Sequence, residues 1–305
     1  MSRRGFLLFA TMCVLWGVPY LFIKVAVEEL HPATLVFMRT ALAALVLLPI
    51  AAARSELRLL LPRWRPLVVF AAIEIGVPWL LLGRAEQHLS SSLTALLIAA
   101  VPLVGALLVV AWPGSGERLG RRSILGLLVG FGGVAALVGL DTAGANPLAV
   151  AEVGGVAVCY AVGPAILDRF LRGVPGLGVI AVSLGLCAVV YAPIGAVEWP
   201  TTTPKAKVIA SVVVLALVCT AVAFLVFFAL IAEIGPVRAT VFTYVNPAVA
   251  ALLGVTVLGE SFTVGMGVGL VLILIGSVLA TRRPASATRG AAVPELEPAA
   301  VPVGD

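Results

Sequence analysis

The sequence predicts an all-α integral membrane protein with ten transmembrane helices, arranged as two inverted five-helix repeats. Three observations support this prediction: the composition, the number of long apolar stretches, and a weak similarity between the two halves of the chain. Hydrophobic residues make up 61% of the 305 residues and charged residues only 11%, whereas a soluble domain contains about 25% charged residues. With a mean hydropathy of +1.16, most of the chain cannot face water.

Ten apolar stretches lie between charged or Pro- and Gly-rich breaks. A bilayer requires about 20 mostly apolar residues per helix. The predicted spans are 5–26, 32–52, 66–86, 91–112, 122–140, 148–167, 176–197, 207–231, 236–258 and 262–281. Their apolar runs are continuous, which favours helices over the alternating strands of a barrel. The remaining tail, 284–305, gains Pro, Ala and charge, so we predict a disordered cytoplasmic end.

The basic residues predict the orientation of these spans. With the N-terminus in the cytoplasm, fifteen Lys and Arg residues fall on the cytoplasmic side, Lys24, Arg84, Lys205 and Lys207 fall outside, and Arg39 lies within a span. This bias predicts that both termini are cytoplasmic. The net charge of +5 then reflects topology and not nucleic-acid binding. The N-terminus also resembles a secretory signal, but its apolar run is long enough to span and its removal would scramble the charge distribution.

The two halves of the chain are weakly similar to each other. Shifting the sequence by about 145 residues aligns Pro102 with Pro247, and a two-residue gap then aligns Glu117 with Glu260. We predict a first repeat over 5–140 and a second over 148–281. Since each repeat contains five spans, the second enters the membrane upside down, an architecture common in transporters whose substrate site lies near the midplane.

The same alignment suggests roles for two acids and for the glycines of spans five and ten. Glu117 and Glu260 are expected to cap the N-termini of helices five and ten, where a carboxylate meets exposed N–H groups. Glycines recur in these two helices, and small residues let membrane helices approach closely. The repeated glycines are Gly126, Gly130 and Gly133 in the fifth span and Gly265, Gly269 and Gly276 in the tenth.

Five prolines inside the predicted spans are candidate hinges. Proline cannot donate a hydrogen bond to the carbonyl four residues back, and its ring crowds that carbonyl. The freed carbonyl must be satisfied by neighbours or by water in a cavity. The candidates are Pro19, Pro78, Pro102, Pro164 and Pro247. A simple kink is the alternative at each position, but Pro102 and Pro247 match between the repeats, which suits gates that alternate between the two faces.

Polar and aromatic side chains near these breaks are the predicted substrate-binding residues. Helical spacing places Trp16 with Tyr20 on one stripe of the first span, and Thr240 with Tyr244 on one stripe of the ninth. The predicted set is Trp16, Tyr20, Arg39, Trp79, Thr240, Tyr244 and Asn246. An apolar wall with a few such groups is typical of small-molecule sites, although packing or interfacial positions are the alternative for the aromatic residues.

Charged residues inside the membrane are costly unless paired or hydrated, so Arg39 and Glu74 are specific candidates. We expect Arg39 to bind a substrate carboxylate or a helical carbonyl. Glu74 is the proton-coupling candidate, because a carboxyl in apolar surroundings can exchange protons near neutral pH. A static Arg39–Glu74 pair is the alternative. Glu86 and Glu152 are expected to be solvated at the outer surface, and Lys24 to reach the headgroups.

The sequence contains no pattern typical of catalysis or metal binding. Its four cysteines, Cys13, Cys159, Cys187 and Cys219, fall inside predicted spans and have no disulfide or metal spacing. The two histidines, His31 and His88, lie near the outer ends of helices. We therefore predict that the protein is not an enzyme and needs no metal or cofactor.

Several segments of the sequence resemble those of a known transporter family. They include LWGVPYLFIK at 15–24, FMRTALAALVLLP at 37–49 and SSSLTALLIAAVPLVGALL at 90–108. Over 5–281 the chain resembles the EamA-type branch of the drug/metabolite transporter superfamily. The resemblance implies an inner-membrane carrier with ten helices in two repeats and both termini in the cytoplasm. Such carriers usually export amino acids, other metabolites or drugs.

The predicted function is secondary transport of small metabolites, amino acids or related compounds or drugs, outward across the inner membrane by alternating access. Import of a sugar or nucleoside-type solute and a facilitative, channel-like uniporter are the alternatives. The expected partners are a small-molecule substrate and the lipid bilayer, with no nucleic acid. The protein is expected to be a monomer or a homodimer.

Overall fold

The computed structural model describes residues 2–111, 120–141 and 146–281, and within these ranges the chain is helical with no β-strand. The first half contains α1 (Arg3–Leu15), α2 (Pro19–Ala26), α3 (Pro32–Ala53), α4 (Trp64–Ala71), α5 (Val77–His88), α6 (Ser91–Ile98), α7 (Val101–Ala111) and α8 (Arg121–Asp141). The second half contains α9 (Pro147–Phe170), α10 (Gly176–Val197), α11 (Ala206–Val213), α12 (Ala223–Ile234), α13 (Pro236–Ala239), α14 (Asn246–Leu258) and α15 (Val264–Thr281). The predicted tail and Glu117 lie outside the described residues.

Seven helical stretches of the described chain are long and apolar enough to cross a membrane. They are Arg3–Ala26, Pro32–Ala53, Leu61–His88, Ser91–Leu108, Pro147–Phe170, Gly176–Val197 and Ala206–Ile234. Two shorter apolar helices, Asn246–Leu258 and Val264–Ala280, fall in the ninth and tenth predicted spans, and α8 falls in the fifth. The protein is therefore an all-helical membrane protein, and each predicted span contains at least one helix.

Several spans are interrupted or locally rewound. A turn at 16–18 separates α1 from α2, and another at 99–100 separates α6 from α7. A π-helix at Ala72–Gly76 joins α4 to α5, and a second at Val214–Val222 joins α11 to α12. A 3₁₀-helix at Thr240–Tyr244 precedes α14. Each π-helix inserts an extra residue into the turn, which rotates the following helix relative to the preceding one.

Four of the five candidate hinge prolines lie at these irregularities. Pro19, Pro102 and Pro247 each stand in the first turn of the helix that follows an interruption, and Pro78 follows the π-helix of the third span. Proline is tolerated there because the first N–H groups of a helix have no partner within it. Pro164 instead lies inside the continuous helix α9 and is exposed on its surface.

Helix α3 of the first half and helix α10 of the second half pack together in antiparallel orientation. At one end, the imidazole Nδ1 of His31, just before α3, lies 3.8 Å from Oε2 of Glu198, just after α10. At the other end, the carboxylate of Glu56, beyond α3, accepts a hydrogen bond of 2.7 Å from the N–H of Gly178 in α10. The start of each helix thus contacts the end of the other.

The pair α8 and α15 is also antiparallel and packs through glycines. Gly126, early in α8, contacts Gly276 and Ala280, late in α15, whereas Gly133, later in α8, contacts Gly269. A methyl group added at Gly276 would meet the backbone of Gly126 at 2.6 Å. The small residues therefore allow direct backbone contact, as expected for these two helices.

Glu260 does not cap α15, contrary to expectation. Its Oε1 accepts from the N–H of Ser91 at 2.7 Å, and its Oε2 accepts from the N–H of Ser92 at 2.9 Å, so that it caps α6 instead. The left-handed conformation of Gly259, with a φ of 67°, ends α14 just before this residue. Thr263 supplies the cap of α15 by accepting from the N–H of Met266 at 3.1 Å. The end of α14 therefore meets the start of α6.

Candidate functional site

Arg39 is buried in the interior, on α3, and is held by two neighbours. Its guanidinium carbon lies 3.6 Å from the centroid of the Trp79 ring, on α5, and its Nε donates to the Thr220 hydroxyl at 3.0 Å. Thr220 belongs to the π-helix of the second half and donates in turn to the Leu215 carbonyl at 2.8 Å. The remaining guanidinium N–H groups have no hydrogen-bond partner among the described residues and can bind a ligand.

Two tyrosines lie beside this arginine. Tyr20 on α2 and Tyr160 on α9 pack against the same apolar cluster, and both lie near Arg39. Tyr160 also lies near the Trp79 side chain. Tyr160 was not among the predicted site residues. The signal that could have found it is the repeat, which places YAVGP at 160–164 opposite WGVPY at 16–20.

Trp16 lies in a separate aromatic cluster and not against Arg39. Its ring centroid is 5.5 Å from that of Phe224, 5.1 Å from that of Phe227 and 5.1 Å from that of Phe242. These partners come from α12 and from the 3₁₀-helix before α14. Trp16 therefore holds the end of α1 against the second half of the chain.

The candidate residues of the ninth span lie next to this aromatic cluster. With its amide oriented to suit the neighbouring carbonyls, Asn246 donates to the Phe242 carbonyl at 3.0 Å and to the Cys13 carbonyl at 3.2 Å, which joins α14 to α1. Thr240 is exposed and Tyr244 is half-buried on the 3₁₀-helix. The structure thus divides the predicted set into an Arg39 group, with Tyr20 and Trp79, and a ninth-span group around Trp16.

Glu74 lies in the π-helix between α4 and α5, with its carboxyl group against the backbone of Gly163 on α9. A side chain at Gly163 would collide with the carboxyl Oε2, which is enclosed and has no hydrogen-bond partner. No ion pair among the described residues joins Glu74 to Arg39. Pro164 follows Gly163, so the helix leaves the Tyr160 carbonyl without its usual N–H donor.

The acids near the predicted outer face are buried and not solvated as expected. Glu86 has a relative exposure of 0%, and neither of its carboxyl oxygens has a hydrogen-bond partner. Glu152 is also buried, and its Oε1 lies 2.7 Å from Nε of Arg84. Both acids turn towards neighbouring helices, so their positions near helix ends do not expose them to water.

Lys24 does not extend towards the lipid headgroups, and this expectation is also wrong. Its ammonium donates to the carbonyls of Glu86 at 2.6 Å and Leu89 at 2.7 Å, at the end of α5. A cation is favoured at this end of a helix because the last carbonyls are unpaired and carry partial negative charge. Lys24 therefore holds α2 against the turn between α5 and α6.

Ion pairs join the two halves at the predicted outer face. The Lys205 ammonium lies 2.9 Å from the Glu29 carboxylate and that of Lys207 lies 2.5 Å from that of Glu28. The Lys205 backbone N–H also donates to Glu29 at 2.8 Å, and these hydrogen bonds hold the pKa of the Glu29 carboxyl below its usual range.

A groove of about 410 Å³ with both polar and apolar lining residues also lies at the predicted outer face. It runs between the start of α3, the end of α5, the start of α9 and the end of α10. Its lining includes His31, Arg84, Gln87, Asn146, Glu152 and Tyr191. The Tyr191 hydroxyl donates to the Gly76 carbonyl at 3.0 Å, at the last residue of the π-helix that carries Glu74.

The family model described as the EamA-like transporter family matches residues 3–139 and 153–282. The chain belongs to the EamA-like transporter family. The two matches together cover most of the described helices. As a member of this family, the EamA-like chain is a transmembrane transporter and not an enzyme.

Curated relatives of this EamA-like chain are also named as transporters. The "Uncharacterized transporter YvbV" of Bacillus subtilis (strain 168) is 25% identical over 307 residues, covering 98% of each chain. The "Uncharacterized inner membrane transporter YedA" of Escherichia coli (strain K12) is 27% identical over 285 residues, covering 89% of this chain and 90% of the relative. A solved crystal structure, 23% identical, superimposes with a TM-score of 0.65 over 92% of this chain and 97% of its own, and so shares the fold.

Proposed function

We propose that this protein is an inner-membrane secondary transporter that moves small metabolites outward by alternating access. The observation that carries the proposal is the Arg39 guanidinium, which is buried between the two halves and keeps N–H groups free for a ligand. An arginine in the membrane interior is costly and marks a substrate or ion path by default. Its contacts with Thr220 and Trp79 fix its orientation and leave the terminal N–H groups of the guanidinium able to bind a ligand.

Ten crossings in two inverted repeats, 5–140 and 148–281, are part of the proposal. The antiparallel packing of α3 with α10 supports the inversion, because these helices are second in their respective repeats. The antiparallel pair α8 with α15 supports it in the same way, and so does the contact between the end of α14 and the start of α6. The two π-helices, in the third and eighth spans, also occupy matching places. A carrier with such symmetry can expose one site alternately to the two faces by rearranging one repeat against the other.

The proposed substrate is an amino acid or a related compound with a carboxylate. Arg39 would bind the carboxylate, since a guanidinium offers a planar fork of donors that matches it. Trp79, Tyr20 and Tyr160 would contact the apolar part of the solute. Small-molecule sites usually combine such an aromatic lining with a few polar groups that fix the orientation of the ligand. The ninth-span group would contact the substrate near the proposed hinge at Pro247. Its members are Trp16, Thr240, Tyr244 and Asn246.

Glu74 is the proposed proton-coupling acid. Its enclosed, unpartnered Oε2 favours a neutral carboxyl, because an isolated ionised carboxylate is very costly in apolar surroundings. Deprotonation would then require either water or a change in the packing between the π-helix and α9. A proton bound at Glu74 and a solute bound at Arg39 would each bias the same rearrangement.

The test is release of labelled amino acids and organic cations from proteoliposomes that contain the purified protein, with and without an imposed pH gradient. We expect saturable release of one class that responds to the gradient. Glu74→Gln should abolish the response to the gradient, whereas Asp168→Asn, which removes an exposed acid on α9, should preserve it. A gradient response that survives in Glu74→Gln would refute the coupling role, and release without saturation would indicate a channel.

A further inference from the structure

Glu86 is a buried acid that has no role in the proposed transport cycle. It lies in the last turns of α5, has a relative exposure of 0%, and has no hydrogen-bond partner for either Oε1 or Oε2. A carboxylate enclosed in this way would carry a large desolvation cost that no donor offsets. A group in that position normally takes up a proton instead.

Charged and titratable groups face Glu86 from several neighbouring elements. Lys24 and Tyr20 approach it from α2, Arg39 from α3 and Glu260 from the segment after α14. The closest cation, Lys24, is bound to the carbonyls of Glu86 and Leu89 and not to a carboxylate oxygen. The Glu260 carboxylate disfavours ionisation of Glu86, whereas the cations Lys24 and Arg39 favour it. The neutral carboxyl in this conformation therefore follows from the enclosure of Glu86 without a hydrogen-bond donor.

Glu86 and Glu74 lie on opposite sides of the Arg39 group along the third span. Twelve residues separate them, which corresponds to about 18 Å along a helix axis. Trp79, on which Arg39 stacks, lies between them in the sequence. The third span thus carries towards each face of the membrane one acid with an unpartnered carboxyl oxygen, with the proposed substrate site between the two.

We propose that Glu86 is a second proton-binding site, which exchanges its proton with the outer solution when the Lys24 contact opens. On deprotonation, the Glu86 carboxylate would attract the Lys24 ammonium away from the two carbonyls, and this would free α2 from the turn between α5 and α6. On reprotonation the ammonium returns to the carbonyls and the outer end closes. This inference rests on the proposed proton-coupled transport, for which it supplies the acid on the outer side.

Infrared difference spectroscopy of the purified protein tests the proposal without any substrate. Protonated carboxyls absorb separately from carboxylates, so a titration from about pH 5 to about pH 9, where buried glutamates are known to ionise, reports each buried acid. We expect Glu86→Gln to remove one carboxylic-acid band and Glu74→Gln to remove another. Glu86→Asp should shift the band and not abolish it, which guards against a variant that merely unfolds.

The matched control is Glu29→Gln, which removes an acid of the same face that is paired with Lys205 and should leave both bands in place. A Glu86→Gln spectrum identical to that of the unsubstituted protein would overturn the proposal, because Glu86 would then already be ionised beside Lys24. Loss of the band together with unchanged proton-driven release would also overturn it. A Glu86 band in a protein that shows no proton-driven release would refute the proposed function but not the proton site.

Discussion

At the scale of single residues, the structure places the predicted site residues in different environments. Arg39 has two fixed contacts and free donors, whereas Trp16 is surrounded by three phenylalanine rings. Asn246 uses its amide to join two backbone segments. Polar and aromatic residues in the same apolar background therefore have different environments, and the sequence alone does not distinguish these environments.

Replacing Arg39 by lysine tests whether its shape matters as well as its charge. Lys keeps the positive charge but loses the planar group that stacks on Trp79 and the Nε that binds Thr220. A desolvated cation–π contact contributes about 2 kcal/mol, so we expect saturable release by Arg39→Lys to fall at least about tenfold. Arg84→Lys, at the half-exposed pair with Glu152, is the control and should stay within about twofold of the unsubstituted protein. An equal effect of the two substitutions would contradict a specific role for Arg39.

At the scale of elements, the contact between α8 and α15 depends on the positions of their glycines. In α8 and α15, the glycines at 126, 130, 133, 269 and 276 let the two backbones touch. Gly132 lies on the same helix as Gly130 and Gly133, but a methyl group there would meet nothing within 4 Å. The packing face is thus one stripe of α8 and not the whole helix.

This contrast predicts opposite effects for two Gly→Ala substitutions. Gly276→Ala would force the backbones of α15 and α8 apart, and overpacking of this kind costs about 1–3 kcal/mol. Gly132→Ala has room for its methyl group and removes a flexible glycine from a helix, which should stabilise by about 0.5–1 kcal/mol. Thermal unfolding of the two variants in detergent would measure both effects. Equal midpoints for the two variants would show that the α8–α15 contact does not limit stability.

At the scale of the whole molecule, helices of the two halves pack against each other in opposite directions. Glu56 binds the start of α10 at one end of its pair, and Glu198 approaches His31 at the other. The positive-inside bias of the sequence predicts that both termini are cytoplasmic. The loop that contains Lys205 and the turn at 89–90 would lie on the opposite face.

Reporter fusions measure this orientation directly. Green fluorescent protein fused after Thr281 should fluoresce, and alkaline phosphatase at the same position should be inactive, because phosphatase folds only outside the cytoplasm. Phosphatase fused after Thr202, in the loop before Lys205, should be active. Phosphatase activity at both positions would contradict the three crossings predicted after Thr202, because an odd number of crossings places the two positions on opposite faces, and reversed activities would invert the predicted topology.

The sequence by itself determined the class of protein and the positions of its helices. Composition and run length are local properties, and they located a helix in every predicted span. Only the tertiary structure decided the burial of Glu86, the partner of Glu260 and the place of Tyr160 beside Arg39. These depend on which face of each helix turns inward, and helices that are apolar on every side give no amphipathic signal of that face. Glu260 and Ser91, moreover, meet only because distant helices pack together, which no local pattern records.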